Sequence, residues 1–132
     1  MALVKVFYQH RVDGTELVNH EKEVKLHRDL CEIIDSYPWI KELELTEQLG
    51  EGGGFYFLVG DKDGQHASYQ FTPMESDGGL LDLDIVMKPG FLNMLGRKAV
   101  SKHFGEVSTA EAKQKLKELF DYPVDVLYER YK

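Results

Sequence analysis

The chain of 132 residues has a single cysteine, no long apolar run and almost no basic residue in its middle third. Cys31 stands alone, so no internal disulfide can form and nothing in the sequence depends on an oxidising compartment. No stretch approaches the roughly 20 apolar residues of a membrane-spanning helix. The first residues lack the basic stretch and apolar run of a signal peptide, so we expect a cytoplasmic protein.

Motifs for catalysis or metal binding are also missing. The five histidines form neither a His-x-x-x-His pair nor a His-Glu-x-x-His motif. Residues 50–54 are glycine-rich but lack the Gly-Lys-Ser/Thr ending of a phosphate loop, and they lead into a predicted strand. The run Asp61-Lys62-Asp63-Gly64 lacks the spacing of a calcium loop, which favours a hairpin turn. We therefore expect no enzyme activity, no cofactor and no metal ion.

Three groupings leave alternatives open. His27 lies one helical turn before Cys31, as a catalytic cysteine would require, whereas a packed thiol is the usual role of such a residue. His10 and His66 would form a site with an acid only if folding brought them together. Asp82 and Asp84 are the residue type of a glycosidase pair, but they are expected on one solvated strand face, unlike a catalytic acid.

Composition and periodicity predict one α+β domain over residues 1–132. Hydrophobic residues make up 42% of the chain, which is typical of folded proteins despite 30% charged residues. We expect an antiparallel sheet of five to six strands with helices packed on one face. Alternating apolar residues and turn signals predict strands at 2–9, 17–18, 40–45, 55–59, 67–72 and 81–87.

Helices are predicted from apolar residues at i, i+3, i+4 and i+7. One such stripe covers residues 30–37 and ends at Pro38, and a second runs from Phe91, Leu92 and Leu95 to Ala99 and Val100. Ser108 and Glu111 form a capping box that begins a third helix, which Pro123 ends. Residues 124–131 are short and aromatic and are predicted as a last strand or a helical turn, of which we favour the strand.

Acidic residues are concentrated in the middle of the chain. Residues 42–84 contain ten acids and one base, Lys62, for a net charge of −9, against −1 before this segment and +3 after it. Such a segment repels nucleic acid and anionic membranes and attracts a cationic partner. A solubilising surface is the alternative, but it does not explain why the charge is confined to one segment.

In two predicted strands the acids alternate with Leu or Ile, so the acids should face solvent while the apolar residues face the core. These acids are Glu42, Glu44, Asp82 and Asp84. If helices cover one side of the sheet, the other side displays these carboxylates beside aromatic residues of the neighbouring hairpin. The predicted partner-binding residues therefore also include Tyr56, Tyr69 and Glu75.

The order of the predicted strands and helices is similar to that of a known protein family. An N-terminal strand precedes a helix through Leu30-Cys31-Glu32-Ile33-Ile34, a strand ending Phe57-Leu58-Val59-Gly60-Asp61, and the strand Ala67-Ser68-Tyr69-Gln70-Phe71. A capped helix from Ser108-Thr109-Ala110-Glu111-Ala112 to Leu119-Phe120 and a tail from Tyr122-Pro123 to Tyr128 follow. Over about two thirds of its length, the chain resembles bacterial immunity proteins that neutralise polymorphic toxins, including those of contact-dependent inhibition systems.

The resemblance implies a non-catalytic inhibitor that binds a cognate toxin. Many such toxins are nucleases or deaminases with a basic substrate groove, which an acidic inhibitor can occupy. The expected partner is a protein toxin with a basic surface, not nucleic acid or membrane. The alternatives are a secretion chaperone or adaptor, whose apolar binding would resist salt, and a small-molecule-binding enzyme.

Overall fold

The computed structural model describes residues 3–88 and 98–132. The strands are β1 Val4–Arg11, β2 Leu17–Val24, β3 Phe55–Gly60, β4 His66–Glu75, β5 Gly78–Lys88 and β6 Lys98–Ser108. The helices are α1 His27–Ser36, α2 Trp39–Leu49, α3 Thr109–Leu116, α4 Glu118–Asp121 and α5 Val124–Tyr131. Within the described ranges, no helix combines the length and apolarity that crossing a membrane requires.

The six strands form one antiparallel sheet in the order β2-β1-β3-β4-β5-β6. Helices α1 and α2 are inserted between β2 and β3, so β1 pairs with β2 on one side and with β3 on the other. The later strands follow one another in chain order, as a meander. The predicted α+β architecture with a sheet of five to six strands is confirmed.

Helices cover one face of the sheet. On that face Val6, Phe57, Tyr69 and Leu83 are cross-strand neighbours, and none is more than 1% exposed. Every helix contributes buried residues to the same core: Leu30, Ile33 and Ile34 of α1, Trp39 of α2, Ala112 and Leu116 of α3, Leu119 of α4 and Leu127 of α5. Alternate strand residues therefore point to the opposite face, which we call the open face.

The predicted strand at 40–45 is wrong, because these residues belong to α2. Six residues that come close to alternation fit a strand but are too few to exclude a helix. Pro38 precedes the helix, and Gly50 ends it in the left-handed conformation with φ 74°. The expectation that Glu42 faces solvent is also wrong, since its side chain is 2% exposed.

The predicted helix from Phe91 to Val100 is wrong at its C-terminal end. Ala99 and Val100 lie in β6, opposite Val86 and Ile85, and not in a helix. The rest of that predicted helix, with Phe91, Leu92 and Leu95, lies outside the described residues.

Residues 124–131 form helix α5 and not the predicted strand. Val124, Leu127, Tyr128 and Tyr131 occur at i, i+3, i+4 and i+7 and pack on the core.

The predicted helix boundaries at Pro38, Ser108 and Pro123 are confirmed, and the helix predicted between Ser108 and Pro123 is divided at Lys117 into α3 and α4. Ser108 Oγ accepts a hydrogen bond from the Glu111 N–H at 3.1 Å, and the Glu111 carboxylate accepts one from the Ser108 N–H at 3.4 Å. Pro38 separates α1 from α2, and Pro123 separates α4 from α5. The capping box starts α3 directly after β6, which returns the chain from the sheet edge to the covered face.

Candidate functional site

Side chains on the open face lie in rows, because paired residues of antiparallel strands point to the same side. The central row crosses all six strands and consists of Glu21, Phe7, Tyr56, Gln70, Asp82 and His103. A second row consists of Glu23, Lys5, Leu58, Ser68, Asp84 and Ser101. Strand register therefore joins residues that are far apart in the chain.

Phe7 and Tyr56 form an aromatic pair in the central row. Their ring centroids are 6.0 Å apart with the planes inclined by 50°, and both side chains are partly exposed. In the second row Leu58 and Ser68 are only 4% exposed, so the accessible part of the open face includes the central row with Phe7 and Tyr56 but not these two residues. Aromatic side chains of this kind are common anchors at the centre of protein interfaces.

Carboxylates surround the aromatic pair, with Lys5 as the one lysine in these rows. Among the described residues, the strand acids of the open face are Glu21 and Glu23 of β2, Asp82 and Asp84 of β5, and Glu106 of β6, five in all. All five lie on strands that flank the aromatic pair, so the open face has an apolar centre and an acidic periphery. The expectation that Asp82 and Asp84 share a face with Tyr56 is confirmed.

Two of these carboxylates are held in place by β6. Asp82 Oδ1 accepts a hydrogen bond from Nδ1 of His103 at 2.6 Å, and Asp84 accepts one from the Ser101 hydroxyl. The contacts are exposed, so they orient the carboxylates without removing them from solvent. Both acids therefore remain available to a partner.

A notch interrupts the open face beside the aromatic pair. Strand β3 begins at Phe55. Gly54, the residue before it, lies between Gln9 of β1 and Thr72 of β4 and has no side chain to fill the space between them. The resulting cleft has a volume of about 330 Å³. It is lined by Phe7, Gln9, Gly52, Gly53, Gly54, Phe55, Tyr56, Gln70 and Thr72. We call this cleft the Gly54 notch.

The loop of residues 51–54 is held tightly against β1. The Gln9 N–H donates to the carbonyl oxygen of Gly54 at 3.2 Å. A Cβ atom on Gly53 would lie 2.0 Å from the Gln9 carbonyl oxygen, so this approach requires glycine. At Gly54 a Cβ atom would meet the Phe71 carbonyl oxygen at 3.4 Å and Pro73 at 4.0 Å, which are ordinary contacts. The floor of the notch is therefore fixed, while the notch itself has room.

A buried ion pair anchors this loop to α2. Nη1 of Arg11 lies 2.9 Å from Oε1 of Glu42, and the two side chains are 0% and 2% exposed. The Arg11 guanidinium also donates to the carbonyl oxygens of Thr15 at 3.0 Å and Glu51 at 2.6 Å. Such complete pairing compensates the desolvation of both charges. Glu42 is thus a structural residue and is not available to a partner.

The remaining predicted contacts do not join Asp82, Asp84 and Tyr56. Glu44 is exposed on α2, on the helical side of the molecule. Glu75 is exposed at the β4–β5 turn, beyond the end of the rows.

Tyr69 was predicted as a contact, but it is 0% exposed and points into the core. It is two residues from Phe71 on β4, so both side chains lie on the face that the helices cover. Burial and the nearby Glu118 carboxylate raise the pKa of its hydroxyl. A protein partner therefore cannot reach Tyr69 from the open face.

Sequence reasoning missed Glu21, Glu23, Phe7, Glu106 and Gly54. Only Val18 and Val24 are apolar between residues 18 and 24, so no apolar/polar alternation marks this strand. The sequence also does not show that β1 lies between β2 and β3. Without that neighbour relation, the acids of β2 could not be placed beside the aromatic pair.

The histidines do not assemble with each other as a catalytic or metal site. His10 lies on the helical side of β1, whereas His66 belongs to the other face at the far end of β4. His10 instead stacks on His20 with ring centroids 4.3 Å apart. Burial, followed by the charges of His10 and Lys22, lowers the pKa of His20. Among the described residues no group of three or more His, Cys, Asp or Glu side chains is placed to hold a metal ion.

Cys31 and His27 are in contact, but their environment favours packing. Nε2 of His27 lies 2.6 Å from the Lys113 carbonyl oxygen and therefore donates to it. The same nitrogen is 3.5 Å from the sulfur of Cys31, and the other ring nitrogen, Nδ1, is 3.9 Å from it. Burial is the main cause that raises the pKa of the Cys31 thiol, which opposes formation of a nucleophilic thiolate.

Comparisons of the chain with models of known protein families, with curated proteins and with solved structures found no match.

Proposed function

We propose that this protein is a non-catalytic inhibitor of the immunity type, which binds and blocks a cognate toxin domain with a basic surface. The observation that carries the proposal is the composition of the open face, where five carboxylates surround the Phe7–Tyr56 pair. An aromatic centre with a polar rim is the usual anatomy of a protein interface.

The carboxylates and the aromatic pair of this face contribute to binding in different ways. Complementary charge accelerates encounter, so association with a basic partner can reach about 10⁸ M⁻¹s⁻¹ at low salt, against about 10⁵–10⁶ M⁻¹s⁻¹ for neutral surfaces. Rim charges contribute little to the lifetime of the complex. The aromatic pair is expected to supply most of the binding free energy, because buried aromatic anchors dominate interface energetics.

The dimensions of the sheet suit a protein ligand. Six strands at a spacing of about 4.8 Å span roughly 24 Å. A standard interface covers about 800 Å² on each partner, which corresponds to a square of roughly 28 Å. Carboxylates distributed over this width can pair with the Arg and Lys residues that a nuclease or deaminase uses to hold phosphate groups.

The experiment is capture of a partner from lysate of the source organism at low salt, with the tagged protein as bait. We expect a stoichiometric basic toxin domain that high salt releases, and co-expression of the bait should relieve the growth defect caused by that domain. An Asp82→Lys/Asp84→Lys variant should capture less of this domain, because it associates more slowly with a basic partner. The matched control Glu44→Lys/Glu47→Lys makes the same charge change on α2 and should retain it.

Two outcomes would contradict the proposal. Capture of an unfolded effector that resists high salt would indicate a secretion chaperone or adaptor. Equal loss of the toxin with the open-face and α2 variants would show that net charge, and not the open face, determines binding.

A further inference from the structure

We propose that the Gly54 notch receives one arginine side chain of the partner. This inference rests on the proposed function for the identity of the partner and adds the residue that the open face recognises. It arises from three properties of the notch: its size, the chemistry of its walls, and the absence of a packing reason for glycine at position 54.

The size of the notch fits one long side chain. Its volume of about 330 Å³ lies at the lower end of the range for small-ligand pockets. The notch opens on the same side as Phe7 and Tyr56, which also form part of its wall. A partner that covers the aromatic pair would therefore place a neighbouring side chain directly over the notch.

The walls of the notch suit a guanidinium group. The rings of Phe7 and Tyr56 line the notch, and aromatic rings of this kind bind a cation, arginine by stacking more readily than lysine. The side-chain oxygens of Gln9, Gln70 and Thr72 can accept the hydrogen bonds of its fork of five N–H donors.

The charges around the notch favour the same occupant. No basic side chain of the described residues lines the notch. In the central row, Glu21 is the neighbour of Phe7 and Asp82 is the neighbour of Gln70. These two carboxylates lie at opposite ends of the rim formed by Phe7, Tyr56 and Gln70, so their charge favours a cation over an acidic side chain at the notch.

Packing explains two glycines of the loop but not the third. A Cβ atom would lie 2.5 Å from the Thr46 hydroxyl at Gly52 and 2.0 Å from a carbonyl oxygen at Gly53. At Gly54 the nearest atom would be 3.4 Å away. The fold therefore requires glycine at 52 and 53, while glycine at 54 leaves open space on the binding face.

The test uses the blocked peptide acetyl-Gly-Arg-Gly-amide, titrated at low salt into ¹⁵N-labelled protein and followed by NMR. We expect saturable shifts centred on the amides of Phe7, Gly54, Tyr56 and Gln70. The lysine peptide should bind about threefold more weakly, since it stacks less well. The citrulline peptide has the shape of the arginine peptide without its charge and should cause no saturable shifts there.

Variants locate the binding site. Gly54→Leu fills the notch at a position that tolerates a side chain and should weaken the arginine peptide by at least about tenfold. Gly64→Ala is the matched control in the β3–β4 turn, where a Cβ atom would meet only the Asp61 side chain, at 3.3 Å, and it should bind as the original protein does. If Gly54→Leu does not fold, Tyr56→Leu replaces it, with an expected loss of about fivefold.

Unchanged peptide binding by Gly54→Leu, or shifts confined to Asp82 and Asp84, would overturn the inference. The two proposals fail in different ways. If open-face charge reversal weakens capture of the toxin while Gly54→Leu affects binding of neither toxin nor peptide, the notch proposal fails and the proposed function stands. If the peptide occupies the notch but no toxin is captured, the site stands and the proposed function fails.

Discussion

Arg11 and Glu42 are 31 positions apart in the chain, yet they form an ion pair of 2.9 Å that solvent does not reach. The pair joins β1 to α2, and through Glu51 it also holds the loop that forms the floor of the Gly54 notch. The stability of the fold and the shape of the candidate site therefore depend on the same contact.

Truncation of one partner of this ion pair should strongly destabilise the fold. Glu42→Ala leaves the Arg11 guanidinium buried without its counter-charge, and we expect the free energy of unfolding to fall by about 3–5 kcal/mol. Fluorescence of Trp39, the one tryptophan, reports unfolding in denaturant from the same helix. The control Glu44→Ala, an exposed site on α2, should change stability by no more than about 0.5 kcal/mol. Equal stability of the two variants would show that the pair contributes nothing.

The error at residues 40–45 has a physical reason. Ile40, Leu43 and Leu45 with intervening glutamates resemble an alternating strand, and a glutamate is rarely buried. Only the guanidinium of Arg11, supplied by β1, allows Glu42 to be buried. Residues 124–131 are different, because their apolar residues at i, i+3, i+4 and i+7 already indicated the helix. The strands from 55 to 87 were predicted correctly because their alternation is long and their turns are short.

Alanine substitutions at the adjacent residues Gly53 and Gly54 should have different effects on stability. Gly53→Ala places a Cβ atom 2.0 Å from a backbone oxygen, and we expect Tm to fall by at least about 5 °C. Gly54→Ala makes only an ordinary contact, at 3.4 Å, and restricts the unfolded chain, so stability should be unchanged or rise by up to about 1 kcal/mol. Thermal unfolding followed by circular dichroism compares the two. A large loss at Gly54 would contradict the open space described for the notch.

The thiol of Cys31 should be unreactive in the folded protein. Burial raises its pKa, and the thiolate is the form that attacks alkylating reagents. We expect alkylation by iodoacetamide near pH 8 to be at least about tenfold slower in the native protein than in urea. Faster reaction in the native protein would identify an activated cysteine and favour the enzyme alternative.

Acid should weaken the fold through His20. Its pKa is lowered by burial and by the charges of His10 and Lys22, so the folded state favours the neutral ring. This contribution is complete above the ordinary histidine pKa of about 6.5 and is lost as pH falls through the lower pKa of the folded state. Tm measured from about pH 7.5 to 5.5 should fall less in His20→Gln than in the original protein. Identical pH profiles would exclude His20 as the cause.

The candidate site was only partly visible in the sequence. Asp82, Asp84 and Tyr56 could be placed because they lie in regular hairpins, where alternation fixes the face of each side chain. The acids of β2 and Glu106 depend on strand order and on the bulge between Leu81 and Asp82, which no local pattern encodes. The acidic middle segment is itself divided in the structure, with Glu42 buried, Glu44 on the helical side and Asp82 on the open face.

The most direct measurement of the central claim is the association rate constant with the captured toxin domain as a function of ionic strength. We expect the rate constant for the original protein to fall steeply with salt, and Asp82→Lys/Asp84→Lys to lower it by about tenfold or more at low salt with a shallower salt dependence. The Glu44→Lys/Glu47→Lys control should keep most of the rate constant and most of its salt dependence. Equal rate constants and equal salt dependence for all three proteins would contradict binding through the open face.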